Sequence, residues 1–238
     1  MSFFVLNLIV AFTSFVSSHT WVEQIYVLDG ASPVGNPGYP RGNVLRTPTF
    51  RDDDMTYRLP PGSRSLNELW DTDRVCKDSQ LMPNQTIGSP SLTARAGDSL
   101  LLMYQENGHV TKLDQDPGHS ASGSVRVIGT LRPSPADSLQ AMSSVSSSNK
   151  VYELLFEGNF DDGICYQDNG SLIAQKRKSV ALHRPRLASE GPDVWCGTQI
   201  TLPANLQPST VFTLYWIWNF DGREFIERYT TCLDIFIM

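Results

Sequence analysis

The stretch that decides the fold is Val211-Phe212-Thr213-Leu214-Tyr215-Trp216-Ile217-Trp218-Asn219-Phe220, followed after Asp221-Gly222 by a second apolar run from Phe225 to Ile237. Both runs are rich in β-branched and aromatic residues, and an Asp-Gly pair between such runs signals a turn. They predict two long strands near the carboxyl end. Outward from them, Ser124 to Leu131, Tyr152 to Phe156, Trp21 to Leu28 and Ser99 to Gln105 read as further strands, the last introduced by Ala96-Gly97-Asp98. No long amphipathic helix is evident. The stretches Gly30 to Gly42 and Pro60 to Ser65, and the Ser-rich run from Ser134 to Lys150, read as surface loops. Many short strands joined by turn-rich loops predict an all-β, antiparallel β-sandwich with long loops.

The chain of 238 residues opens with Phe3-Phe4-Val5-Leu6 and Leu8-Ile9-Val10-Ala11-Phe12, followed by Ser14, Val16, Ser17 and Ser18. A short apolar core ahead of small residues predicts a signal peptide over 1–18, cut before His19, although the usual basic start is missing. The run is far below the roughly 20 residues that span a bilayer, so no membrane span is expected. Residues 19–238 then form a single domain, secreted and monomeric. The net charge of -6 gives no electrostatic reason to expect nucleic acid or an anionic membrane as partner. Four cysteines, Cys76, Cys165, Cys196 and Cys232, predict two disulfides in an exported chain, with three connectivities open. Asn84-Gln85-Thr86 and Asn169-Gly170-Ser171 are sequons, which makes Asn84 and Asn169 the candidate glycosylation sites.

Cleavage before His19 would expose two nitrogens of one residue, the α-amine and the imidazole Nδ1, spaced to chelate one metal ion. The amine's pKa of about 8 lets a strong metal displace its proton near neutrality. A second imidazole completes three nitrogen donors in a tetragonal plane, which favours Cu(II). His109, in Tyr104-Gln105-Glu106-Asn107-Gly108-His109 just beyond a buried strand, is the candidate. On the last strand, Glu227 and Tyr229 share a face because the side-chain period is two, so a phenol and a carboxylate can approach the same metal. Cys232 points the other way and is expected to staple the strand from the core side.

These residues resemble a family. The amino-terminal histidine of the mature chain, the Gly-His in mid-chain and the closing Glu227-Arg228-Tyr229-Thr230-Thr231-Cys232-Leu233-Asp234 are similar to the fungal lytic polysaccharide monooxygenases and their copper-binding relatives. His19-Thr20-Trp21-Val22-Glu23-Gln24 with Pro37-Gly38-Tyr39-Pro40-Arg41-Gly42 also resembles an uncharacterised fungal group of secreted proteins. The resemblance implies an immunoglobulin/fibronectin-like sandwich and one copper per chain, braced by His19 and His109 with Tyr229 axial and Glu227 placing an oxygen species. It implies a monooxygenase or peroxygenase that takes electrons from an external reductant, uses O2 or H2O2, and cleaves a polysaccharide oxidatively. The family often has Gln where this chain has Glu227. It further implies a Cys76–Cys232 disulfide, which leaves Cys165–Cys196 by subtraction.

Two other function classes stand beside this one: a secreted copper-binding protein without catalysis, and a metal-free adhesion or structural domain. Glu227 and Tyr229 favour the oxygenase, since a copper carrier has no need of an oxygen-positioning carboxylate. His119 and His183 read as surface histidines, and Asp52-Asp53-Asp54 and Asp161-Asp162 as solvated turn acids. Trp216 and Trp218 read as core. Tyr39, in a Gly/Pro loop, is the candidate for stacking on a sugar ring.

Overall fold

A computed structural model describes residues 19–64, 67–115, 118–146, 149, 151–181 and 187–238. The expected signal peptide and His183 lie outside them. Among the described residues, ten strands build two sheets. The first sheet holds β1 (Val22–Asp29), β2 (Ser32–Gly38), β5 (Ser99–Tyr104) and β8 (Cys196–Thr201) in the order β2-β1-β5-β8, all antiparallel. The second runs β3 (Arg58–Leu59), β10 (Arg228–Ile237), β9 (Val211–Asn219), β6 (Ser124–Thr130), β7 (Tyr152–Asn159). The short β4 (Leu92–Ala94) pairs with the far end of β10, and this pairing is parallel. The two decisive sequence runs are therefore adjacent strands, in register from Arg228↔Asn219 to Phe236↔Val211.

The sheets pack face to face. Val22, Ile25, Leu100, Leu102 and Tyr104 of the first meet Val125, Val127, Leu214, Trp216, Trp218, Tyr229 and Leu233 of the second, all fully buried. Trp216 and Trp218 are thus core, as expected, and a β-sandwich with long loops is what the chain forms. Cys232 does oppose Tyr229, but its face is the outside of the six-stranded sheet, not the space between the sheets. There it packs with Leu59, Val75, Cys76, Ile128 and Tyr215 in a second apolar cluster. Cys76–Cys232 and Cys165–Cys196 are both formed. No helix among the described residues is long and apolar enough to cross a membrane.

Several loops carry more order than their composition suggested. Ser32–Gly38 is strand β2, an edge position where Pro33 and Pro37 are tolerated because one side of the strand needs no ladder partner. Gly38 is required there: a Cβ would lie 2.3 Å from the Leu92 backbone nitrogen. The acidic triplet opens a one-turn helix, α1 (Asp52–Met55). The Ser-rich run contains a short helix, α2 (Leu139–Ser143), capped by Ser138. A nine-residue helix, α3 (Leu172–Val180), is capped by Ser171. It buries little beyond Ala174, so it leaves almost no apolar stripe in the sequence.

The Pro-Gly-Tyr-Pro-Arg-Gly segment delivers Arg41 into the molecule. Its guanidinium grips the Asp234 carboxylate of β10 twice, at 2.8 and 2.7 Å, and also donates to Thr213 Oγ1 at 3.0 Å and the Gln80 carbonyl at 3.1 Å. Arg41 is 1% exposed and Asp234 4%. Two segments that look unrelated in sequence are one satisfied ion pair.

Candidate metal centre

Strand pairing brings the chain start to the His109 loop. Val22 pairs with Tyr104 at the end of β5, and Thr20 Oγ1 donates to the Gln105 carbonyl at 2.7 Å. Glu106 coils the loop beyond it. Its buried carboxylate accepts from the amides of Val110 (2.8 Å), Thr111 (3.2 Å) and Gln167 (2.7 Å) and from the Thr111 hydroxyl. His109 is turned inward by this coil and is 1% exposed, its ring 5.3 Å from Trp218 and 4.9 Å, edge-on, from Phe220.

Asn107, two residues ahead of His109, reaches His19. Its Nδ2 donates to the His19 carbonyl at 2.6 Å and lies 3.2 Å from His19 Nδ1. The other ring nitrogen, Nε2, is 3.2 Å from Asp52 Oδ2. His19 remains half-buried, so this side of the site reaches the surface.

The inner side is built by the end of β9 and the turn before β10. Tyr229 is fully buried, its ring 5.0 Å from Trp218, and its hydroxyl donates to Glu227 Oε1. Glu227, immediately before β10, is also 3.5 Å from Arg58 Nε and 3.6 Å from His119 Nε2. His119 is stacked on Phe220 at 3.7 Å and 4°, with Nε2 also 3.1 Å from the Phe220 carbonyl. The turn is closed by Phe220 N to the Glu227 carbonyl (2.8 Å) and Glu227 N to Asp221 Oδ1 (3.0 Å). Arg228 pairs with Asp221, and burial pushes its guanidinium down to about 10.

The structure thus joins His19 to the His109 loop, and joins His109 through Trp218 to Tyr229 and Glu227. Two residues read as bystanders belong to this group. His119 is not a surface histidine: its side chain is 2% exposed and faces Glu227. The available signal was its Gly-His pair, which repeats the Gly-His of His109; Gly118 has φ 103°, and a Cβ there would meet the Phe225 ring at 3.0 Å. Asp52 is not simply a solvated acid, because it meets His19. Nothing in Asp52-Asp53-Asp54 distinguishes it from its neighbours.

Tyr39 stands apart from these residues. It is half-buried, 3.4 Å from Gln24 Nε2, in a cleft of about 290 Å³ lined also by Glu23, Leu45, Arg46 and Trp195. Asn84 is exposed, whereas the Asn169 Nδ2, the atom a glycan would occupy, donates to Thr111 Oγ1 at 2.8 Å. Among the described residues, the only three ligand-type side chains that converge are Asp162, Cys165 and Cys196, and both cysteines are committed to a disulfide.

The chain belongs to the family described as Domain of unknown function (DUF7492), whose model matches residues 16–238. No curated protein matches it in sequence. Among solved structures it is similar to a cellulose-active polysaccharide monooxygenase from M. thermophila, with 14% identity over 92% of this chain and 78% of that one and a TM-score of 0.40. It is also similar to the cellulose-active LPMO CelS2 in complex with copper, with 13% identity over 74% and 71% and a TM-score of 0.36. A third, HiLPMO9B, has 11% identity over 72% and 62% and a TM-score of 0.34. No site residue, ligand or activity carries over from proteins this distant.

Proposed function

We propose that this member of the DUF7492 family is a secreted copper-dependent oxygenase acting on a polysaccharide, with one copper per chain held by His19 and His109. The observation that carries the reading is the Asn107 tie. It holds the His19 backbone and ring against the loop that presents His109, and the ring nitrogen it faces is Nδ1, the one a chelate with the α-amine uses. That orientation supports the copper reading: Nδ1 faces the Asn107 side of the His109 loop, and Nε2 faces Asp52. Cleavage between Ser18 and His19 frees the amine. When bound, copper would supply one-electron redox chemistry with O2 or H2O2.

The protein's own groups do the rest. Tyr229 would close the site from the core side, and its hydroxyl is oriented by Glu227. His119 flanks the same carboxylate at Oε2 and the half-exposed Arg58 guanidinium at Oε1, so a proton could pass between Glu227 and the His119 imidazole. Trp218, Phe220 and Phe160 wall the inner side and keep water out, while half-buried His19 leaves the outer side open to a polymer too large for a closed pocket. Tyr39, in its cleft, offers a ring to a sugar unit.

The test is direct. Protein secreted from a eukaryotic host should begin at His19 by mass spectrometry and bind one equivalent of Cu(II). A variant with one residue added before His19 should lose that binding. With ascorbate and peroxide the copper form should release oxidised oligosaccharides from a polysaccharide panel. Undiminished copper binding in the extended variant would overturn the site; copper binding with no product on any polymer would make the protein a copper carrier.

A further inference from the structure

Asp52 comes from a segment with no evident chemistry, yet it meets the proposed chelating residue on the ring nitrogen turned away from the His109 loop. We propose that Asp52 is a positioning residue: its carboxylate holds His19 in the tautomer that carries hydrogen on Nε2 and a lone pair on Nδ1. The inference rests on the copper reading above and names a part of that site the reading does not include.

Two independent contacts agree on the tautomer. An ionised carboxylate only accepts hydrogen bonds, so Nε2, 3.2 Å from Asp52 Oδ2, is the nitrogen that carries hydrogen. A neutral imidazole then bears its lone pair on Nδ1. On the other side, the Asn107 group 3.2 Å from Nδ1 is the amide nitrogen and not the amide oxygen. The same group lies 2.6 Å from the His19 carbonyl, which can only accept, so it must be the NH2. An NH2 faces a lone pair, not an N–H. Carboxylate and amide therefore clasp the ring in the form a metal needs at Nδ1.

Although partly exposed, Asp52 is held by the core. It opens α1, whose Met55 is buried and receives the Val44 amide on its sulfur at 3.2 Å. Lys77 Nζ donates to the carbonyls of Asp53 and Asp54, the latter at 2.7 Å. Lys77 follows Cys76, whose disulfide ends on Cys232 of β10, the strand that carries Tyr229. One path of bonds thus ties the carboxylate to the strand behind the site. Orienting partners of this kind typically change metal affinity by about 10–100-fold when removed.

The experiment compares Asp52→Asn with Asp53→Asn, which removes the same charge one residue away from an exposed position. Long-range 1H–15N correlation spectra of the metal-free protein at alkaline pH report the His19 tautomer, and competition titration reports Cu(II) affinity. The wild type should show the Nε2–H form. Asp52→Asn should lose that preference and bind Cu(II) about 10–100-fold more weakly, while Asp53→Asn should stay within about twofold with the tautomer unchanged. An Asp52→Asn protein with wild-type tautomer and affinity overturns the proposal, as does an equal loss in both variants, which would mean bulk charge alone. If the wild type beginning at His19 binds no copper, the copper reading fails, and the spectra still decide whether Asp52 sets the tautomer.

Discussion

Asp234 and Glu227 are two carboxylates of the same segment, each 4% exposed, and the protein treats them in opposite ways. Asp234 lies toward the far end of β10 and is saturated by short contacts from Arg41 and from Thr213 Oγ1 at 2.7 Å. Its partners, a guanidinium and a hydroxyl, have no proton to give up near neutrality. Glu227 lies at the other end, beside a phenol, an imidazole at 3.6 Å and a half-exposed guanidinium at 3.5 Å. A fully paired buried charge holds a fold together; one that also lies beside an imidazole, a side chain that can serve as general acid or base, is suited to chemistry. The two ends of one strand separate structure from proposed function.

The largest expected effect breaks the structural end. Arg41→Met leaves Asp234 buried and without its guanidinium, and should cost about 3–5 kcal/mol in chemical denaturation. Adding Asp234→Leu should restore most of that loss; a single variant within about 1 kcal/mol of wild type would contradict this view of Asp234. At the other end, Glu227→Gln keeps the shape and an acceptor for Tyr229, so stability should fall by only about 0.5–1.5 kcal/mol. Oxidised product should drop by about 100-fold or more while Cu(II) affinity barely changes. Equal losses of stability in Arg41→Met and Glu227→Gln would erase the distinction.

The smallest effect concerns a third carboxylate. Asp73 receives both arms of Arg64 at 2.6 and 2.7 Å in a loop outside the sheets. The Arg64 hydrogen bonds hold its carboxyl below the ordinary 3.8. A depressed folded value adds stability that is complete above the unfolded value and disappears as pH falls through the folded one. Thermal stability should therefore decline with acidification below about pH 4, and Asp73→Asn should flatten that decline without touching copper binding.

The strands were legible where period and composition agree. β9 and β10 announce themselves, and β5 and β6 have buried runs behind turn residues. β2 was hidden because Pro33, Gly35 and Pro37 look like a loop, and only an edge position makes them compatible with pairing. α3 was hidden because a helix lying on the surface with little buried beyond Ala174 has no apolar stripe to read. In the candidate site, His19, His109, Glu227 and Tyr229 are marked by residue type and spacing, whereas His119 carries only its Gly-His pair and Asp52 carries no mark.

What the sequence determined by itself is local: which runs become strands, which faces turn inward, which glycines allow turns, and which residues carry donor atoms. Alternating side chains encode a face without reference to the rest of the chain. Only the tertiary structure decided that Asp52 and not Asp53 or Asp54 meets His19, that His119 lies against Glu227, and that Arg41 reaches Asp234. Those meetings depend on loop paths and on the stacking of two sheets, and side chains of the same type are indistinguishable until the backbone places them.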